Sequence, residues 1–97
     1  MASYFVTRHA GAVDWARRRG IDATFVDHID PAEVRAGDVV LGTLPVHLVA
    51  AVNARGARYL HLVLDLRPEL RGKDLTAEDM DACGARLVEY RAEEVAG

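Results

Sequence analysis

The chain has 97 residues, 51% of them hydrophobic and 28% charged, with a formal net charge of −3. That length suits a single domain, residues 1–97, whose core is modest, because a chain this short buries only about 60–65% of its unfolded surface. The negative balance argues against coating of long nucleic acids. The lone Cys83 rules out an intrachain disulfide, and no run approaches the ~18 apolar residues of a membrane span. A cytoplasmic protein with no membrane partner is expected.

In chain order, Ser3 to Thr7 is a run of strand formers that stops at Arg8-His9. Ala10 to Arg19 then reads as a helix ending on Gly20, with Val13 and Ala16 toward a sheet and Arg17, Arg18 and Arg19 as a solvated basic end. Ala23 to Val26 is a second strand. Asp30-Pro31-Ala32-Glu33 opens a brief helix, Asp30 as its N-cap. Asp38 to Leu41 is a third strand whose Val39-Val40-Leu41 lacks polar alternation, as a strand covered on both faces does. Gly42-Thr43-Leu44-Pro45 leads into a helix that stops at Gly56, and Tyr59 to Leu64 is the fourth strand.

A polar loop runs from Asp65 to Leu75. Thr76 then caps a last helix, with Asp79 three residues on and Leu75 and Met80 at staple positions. Met80, Cys83, Leu87 and Tyr90 make its apolar stripe, and the final residues fray or add a small edge strand. Strands alternating with helices predict a Rossmann-like, three-layer α/β domain. Its sheet is mostly parallel, of four or five strands, with helices on both faces. The short link between the second and third strands leaves an antiparallel pairing of those two open.

In open parallel sheets, ligands bind beyond the carboxyl ends of the strands. Three loops leave such ends and carry polar groups: Thr7, Arg8 and His9; Gly42, Thr43 and His47; and Asp65, Arg67, Glu69 and Arg71. Two of them enter helices whose free N–H groups, at residues 10–12 (Gly11 among them) and 45–48, favour an anion. The combination suits a phosphate.

Each group also has an ordinary alternative. Arg8-His9 is equally a surface pair, and His47 a capping or packing histidine. In the first turn of its helix His47 is disposed to stay neutral, as a general base requires. His61 shares a sheet face with Tyr59 and Val63 and reads as a satisfied core histidine. His28 and Asp30 shape their turn, Cys83 is inert, and Trp15 packs on the sheet or, as the less favoured alternative, stacks on an adenine base. No HxxxH pair, GxGxxG, Walker lysine motif or GxSxG elbow is present, so metal, dinucleotide, NTP and esterase chemistry lose their support. No cofactor and no metal are expected.

The blocks Tyr4-Phe5-Val6-Thr7-Arg8-His9-Ala10-Gly11-Ala12 with Trp15-Ala16, Gly37 to Leu48 (containing GTLPVH) and Arg55 to Tyr59 resemble the CRISPR-associated Csx-sixteen family. Pro68 to Gly72 and Leu75 to Met80 look like that family's later blocks. The resemblance covers nearly the whole chain. It implies a small accessory protein of type III CRISPR loci, a ring nuclease that removes a cyclic oligoadenylate messenger, with cyclic tetra-adenylate as the expected substrate.

The corresponding mechanism is metal-independent attack by a ribose 2′-hydroxyl on its neighbouring phosphorus, giving linear di-adenylate with a 2′,3′-cyclic phosphate. Arg8 would clamp the phosphate, and His9 or His47 would handle protons. Thr7, Thr43 and the N–H groups after Gly42 would orient the ribose or phosphate, with Asp65, Arg67 and Arg71 closing from the fourth-strand loop. A homodimer would match the ring's rotational symmetry. Two other readings compete: a module that binds the ring without cutting it, as sensor or sponge, and a protein–protein accessory with no small-ligand affinity.

Overall fold

The computed structural model describes residues 1–96. Its elements alternate as β1 (Ser3–Val6), α1 (Ala10–Arg18), β2 (Thr24–Val26), β3 (Val39–Gly42), α2 (Val46–Ala54), β4 (Arg58–Val63), α3 (Ala77–Ala82) and β5 (Arg86–Tyr90). Single 3-10 turns at Pro31–Glu33 and Pro68–Leu70 interrupt the two longer connections. The five strands form one sheet in the order β2-β1-β3-β4-β5. The first four strands are parallel, and β5 alone runs antiparallel, against β4.

This is the α/β architecture expected, a Rossmann-like layering with helices on both faces. On one face, Phe5, Leu41 and Leu62 pack with Ala12, Trp15 and Ala16 of α1 and Ala77 and Met80 of α3. On the other, Val40 and Tyr59 pack with Val49 and Val52 of α2 and with Val34 beside the first 3-10 turn. β3 sits between β1 and β4 with both faces covered, which explains its unbroken apolar sequence.

Two sequence expectations are corrected. β2 and β3 do not pair with each other. Both are parallel neighbours of β1, on opposite sides of it, so residues 27–38 cross over β1 on the face where Val34 packs. The last helix also stops at Ala82 instead of running toward Tyr90. Its start is as expected: the Thr76 hydroxyl accepts the Asp79 N–H, and the Asp79 carboxylate accepts the Thr76 N–H.

The stop is set by Gly84, at φ 69°. Its N–H reaches the Asp81 carbonyl and the Ala85 N–H reaches that of Met80, the paired closure that favours a left-handed residue. The same closure follows Gly20 and Gly56 at the ends of α1 and α2. Beyond Gly84 the chain extends, and β5 pairs with β4 from Val63↔Arg86 to Tyr59↔Tyr90.

The strand starts are tied together by Asp38, which is buried at 4% exposure. Its carboxylate accepts the N–H groups of Ala2 and Arg35, both at 2.9 Å. Those two bonds hold the carboxyl below the usual carboxylate range, against the opposing pull of burial. Among the described residues, no helix is long and apolar enough to cross a membrane.

Candidate functional site

The strand order reverses between β1 and β3: from β1 the chain moves outward to β2, and from β3 it moves the other way to β4. In doubly wound sheets the crevice at such a reversal, beyond the carboxyl strand ends, is where ligands bind. Here that crevice is a cleft of about 370 Å³. Thr7, Arg8 and His9 follow β1, Asp27 and His28 follow β2, and Thr43 follows β3, while Leu44 and Leu48 floor it.

The polar groups are ordered by contacts from three strands. Arg8 Nη2 lies 2.8 Å from His28 Nε2. The same Nη2 lies 3.3 Å from His28 Nδ1, so the guanidinium sits against the imidazole with both ring nitrogens within reach. Thr7 Oγ1 accepts the His9 N–H at 3.1 Å, folding the turn by which the chain enters α1. His9 is the N-cap of α1 in extended backbone, and Ala10 and Gly11 of its first turn line the neighbouring concavity beside the 74–78 segment.

Thr43 is held from below. The Tyr59 hydroxyl accepts the Leu44 N–H at 2.8 Å and donates to the Gly42 carbonyl at 3.0 Å, bridging the residues on either side of Thr43. His61 Nδ1 lies 2.6 Å from the same oxygen. Tyr59 has one proton to give, so every group is satisfied when His61 carries its hydrogen on Nδ1 and donates. Burial pushes the Tyr59 phenol up, keeping that donor protonated. His61 is therefore the satisfied, half-buried histidine expected of its strand position. Gly42 has φ 141°, and a Cβ there would stand 2.5 Å from the Val6 carbonyl oxygen, so the β3 exit needs glycine.

The model of the family described as "Putative CRISPR-associated protein (Cas_VVA1548)" matches residues 4–93. That span starts within β1, ends beyond β5 and includes every residue of the cleft. The chain belongs to this CRISPR-associated family. Neither a curated protein nor a solved structure matches it.

In this CRISPR-associated chain the groups gathered at the cleft can neutralise an anion (Arg8), donate hydrogen bonds (Thr7, Thr43), and take or give a proton (His9, His28). Asp27 can accept from hydroxyls. His9 is central, because it also borders the two concavities that adjoin the cleft: one beside α1 and the 74–78 segment, and one beneath the tips of β1 and β4.

Several sequence-selected residues lie elsewhere. His47 is on the outer side of α2, in a groove shared with Arg91–Glu94 of the C-terminal segment, and does not line the Arg8 cleft. Asp65 is paired with Arg86 at 3.3 Å. Arg67 and Arg71 flank the second 3-10 turn, exposed and outside the cleft lining. Gly11 has a structural reason for lacking a side chain: a Cβ there would meet the Leu75 carbonyl oxygen at 1.8 Å. Trp15 is buried, its Nε1–H donating to Asp81 at 3.0 Å, and packs in the core. Cys83 is likewise buried.

Sequence reasoning missed His28, Tyr59 as a clasp, and Lys73, which lines the concavity beneath β1 and β4. A signal for His28 was present: it leaves the carboxyl end of a parallel strand, as Arg8 does.

Proposed function

We propose that this chain is a ring nuclease of the Csx-sixteen type, which cleaves a cyclic oligoadenylate, cyclic tetra-adenylate foremost, and so ends type III CRISPR signalling. Support comes from the CRISPR-associated family and, above all, from one observation: Arg8, His9 and Thr43 share a single cleft where the strand order reverses. Such a cleft offers an arginine and two hydroxyls to a phosphodiester, with histidines beside it.

In the proposed reaction, Arg8 and the N–H groups opening α1 balance the charge on the non-bridging oxygens. The ribose 2′-oxygen attacks the adjacent phosphorus and loses its proton to His9. The bond from phosphorus to the 5′-oxygen breaks, that oxygen takes a proton from solvent water, and a 2′,3′-cyclic phosphate remains. Fixing attacker and phosphorus in line is worth at best about 7–11 kcal/mol, and each oriented donor adds roughly 3 kcal/mol. His47 would take part only across a dimer, from a second copy.

The second reading, a module that binds the ring intact, is favoured by one feature: among the described residues no hydrogen bond orients the His9 ring, whose residue is tied only through its backbone. Incubation in EDTA with rings of three, four and six adenylates, with products identified by chromatography and mass, separates the two. Linear oligoadenylate ending in cyclic phosphate, di-adenylate where the ring of four is cut twice, supports the nuclease. Tight binding with the ring intact supports the sensor or sponge, and no binding at all overturns both.

A further inference from the structure

Beneath the tips of β1, β3 and β4, on the face covered by α1 and α3, lies a second concavity of about 250 Å³. Its walls are Phe5, Ala12, Leu62, Leu64, Leu75 and Met80, and its mouth carries Thr7, His9, Thr43 and Lys73. Phe5 is fully buried, Met80 is 3% exposed and Leu62 8%, so this is an indentation of the core itself. Close-packed interiors rarely leave a void larger than a water molecule. Val6, Thr7, His9 and Thr43 border both this concavity and the Arg8 cleft, so the two adjoin across the carboxyl edge of the sheet.

We propose that this apolar concavity is the base-binding half of the site. It receives the purine of a nucleotide whose phosphate lies against Arg8. The proposal rests on the phosphodiester reading given above and adds the group that gives it specificity. A nucleobase has two apolar faces and a polar edge. Leu62, Leu64, Leu75 and Met80 cover the faces over a floor backed by Phe5, and Thr43 and Lys73 at the mouth meet the edge, Lys73 as a donor to ring nitrogens. A sugar-phosphate without its base would leave this space empty.

The chain has two methionines, Met80 in the concavity wall and Met1 fully exposed at the chain start. Full-length protein labelled with carbon-13 at the methionine methyls therefore gives one reporter and one control. Titration with adenosine 5′-monophosphate should move the Met80 methyl through the purine ring current and leave Met1 in place. Ribose 5-phosphate and inorganic phosphate should move the Thr7 and His9 amides but not the Met80 methyl. The mononucleotide should bind about tenfold or more tightly than ribose 5-phosphate, as expected for burying the faces of one base. Leu64→Phe, which fills the concavity, should remove that advantage.

A silent Met80 methyl at nucleotide concentrations that move the Thr7 and His9 amides overturns the base subsite and leaves the phosphate cleft standing. Equal Met80 shifts with ribose 5-phosphate also overturn it. If neither amides nor methyl respond to the nucleotide, both readings fall.

Discussion

Arg8 and His28 are 20 residues apart in the chain, yet their side chains meet at 2.8 Å. Arg8 was legible in the sequence because it directly follows a strand. His28 stands at the same place after its own strand, but its contact with Arg8 depends on β2 lying beside β1, a non-local pairing that no local pattern encodes. For His47 the signal existed. At about 100° per residue it lies about 200° from Val49 and about 140° from Val52 around the helix axis. The buried face of α2 through Val49 and Val52 thus turns His47 outward.

If Arg8 holds the phosphate, Arg8→Ala should lower kcat/KM toward the cyclic substrate by about 10- to 100-fold, the loss of one charged hydrogen-bonding partner. Circular dichroism should remain unchanged. His9→Ala should lower kcat with little effect on KM, and single-turnover kinetics read both. Unimpaired turnover in both variants would remove the assignment of roles.

At the other end of the sheet, Asp38 gives a pH-dependent prediction. Its carboxyl is held low in the folded chain, so folding releases that proton more readily than the unfolded chain does. The stabilisation is complete above the unfolded value of about 3.9 and drains away as pH falls through the lower folded value. Asp38→Asn replaces one acceptor with an N–H donor facing a backbone N–H. Its Tm should lie below that of the parent at pH 7. The gap should narrow as melts are taken down to about pH 3.

Among the elements, the ends of α1 and α2 were readable from Gly20 and Gly56, and the end of α3 was equally readable from Gly84. The expectation of a longer last helix arose because Met80, Cys83 and Leu87 satisfy a helical stripe, while Leu87 also fits the alternation of a half-buried strand. The tertiary pairing with β4 decides between them. Gly84→Ala meets no backbone clash, its Cβ standing 3.5 Å from the Asp65 carboxylate, but it forces φ 69° on a residue with a side chain. Urea unfolding should show a loss of about 1–2 kcal/mol. Tyr59→Phe leaves the Leu44 N–H, the Gly42 carbonyl and His61 Nδ1 without their shared partner. It should cost about 1–3 kcal/mol and speed amide exchange at Leu44.

For the whole molecule, the parallel order of β1, β3 and β4 followed from alternating strands and helices. The position of β2 did not, since a short crossover permits either side of β1. One cleft of about 370 Å³ is small beside a ring of four nucleotides. A ring engaged by matched clefts of two copies would tie turnover to dimer formation. Specific activity should then rise with protein concentration, and sedimentation velocity should show cyclic tetra-adenylate enriching the dimer. Activity that is strictly proportional to protein, on a species that sediments as a monomer throughout, would place the whole ring on one chain.

The sheet's two outer borders are both poor templates for further strands. One is the three-residue β2; the other is β5, where Arg86 and Glu89 are exposed and Glu89 is locked to Arg58 at 2.8 Å. Short or charged borders resist the lateral accretion by which β-rich chains polymerise. Even at high concentration the chain should therefore remain as discrete particles instead of fibres.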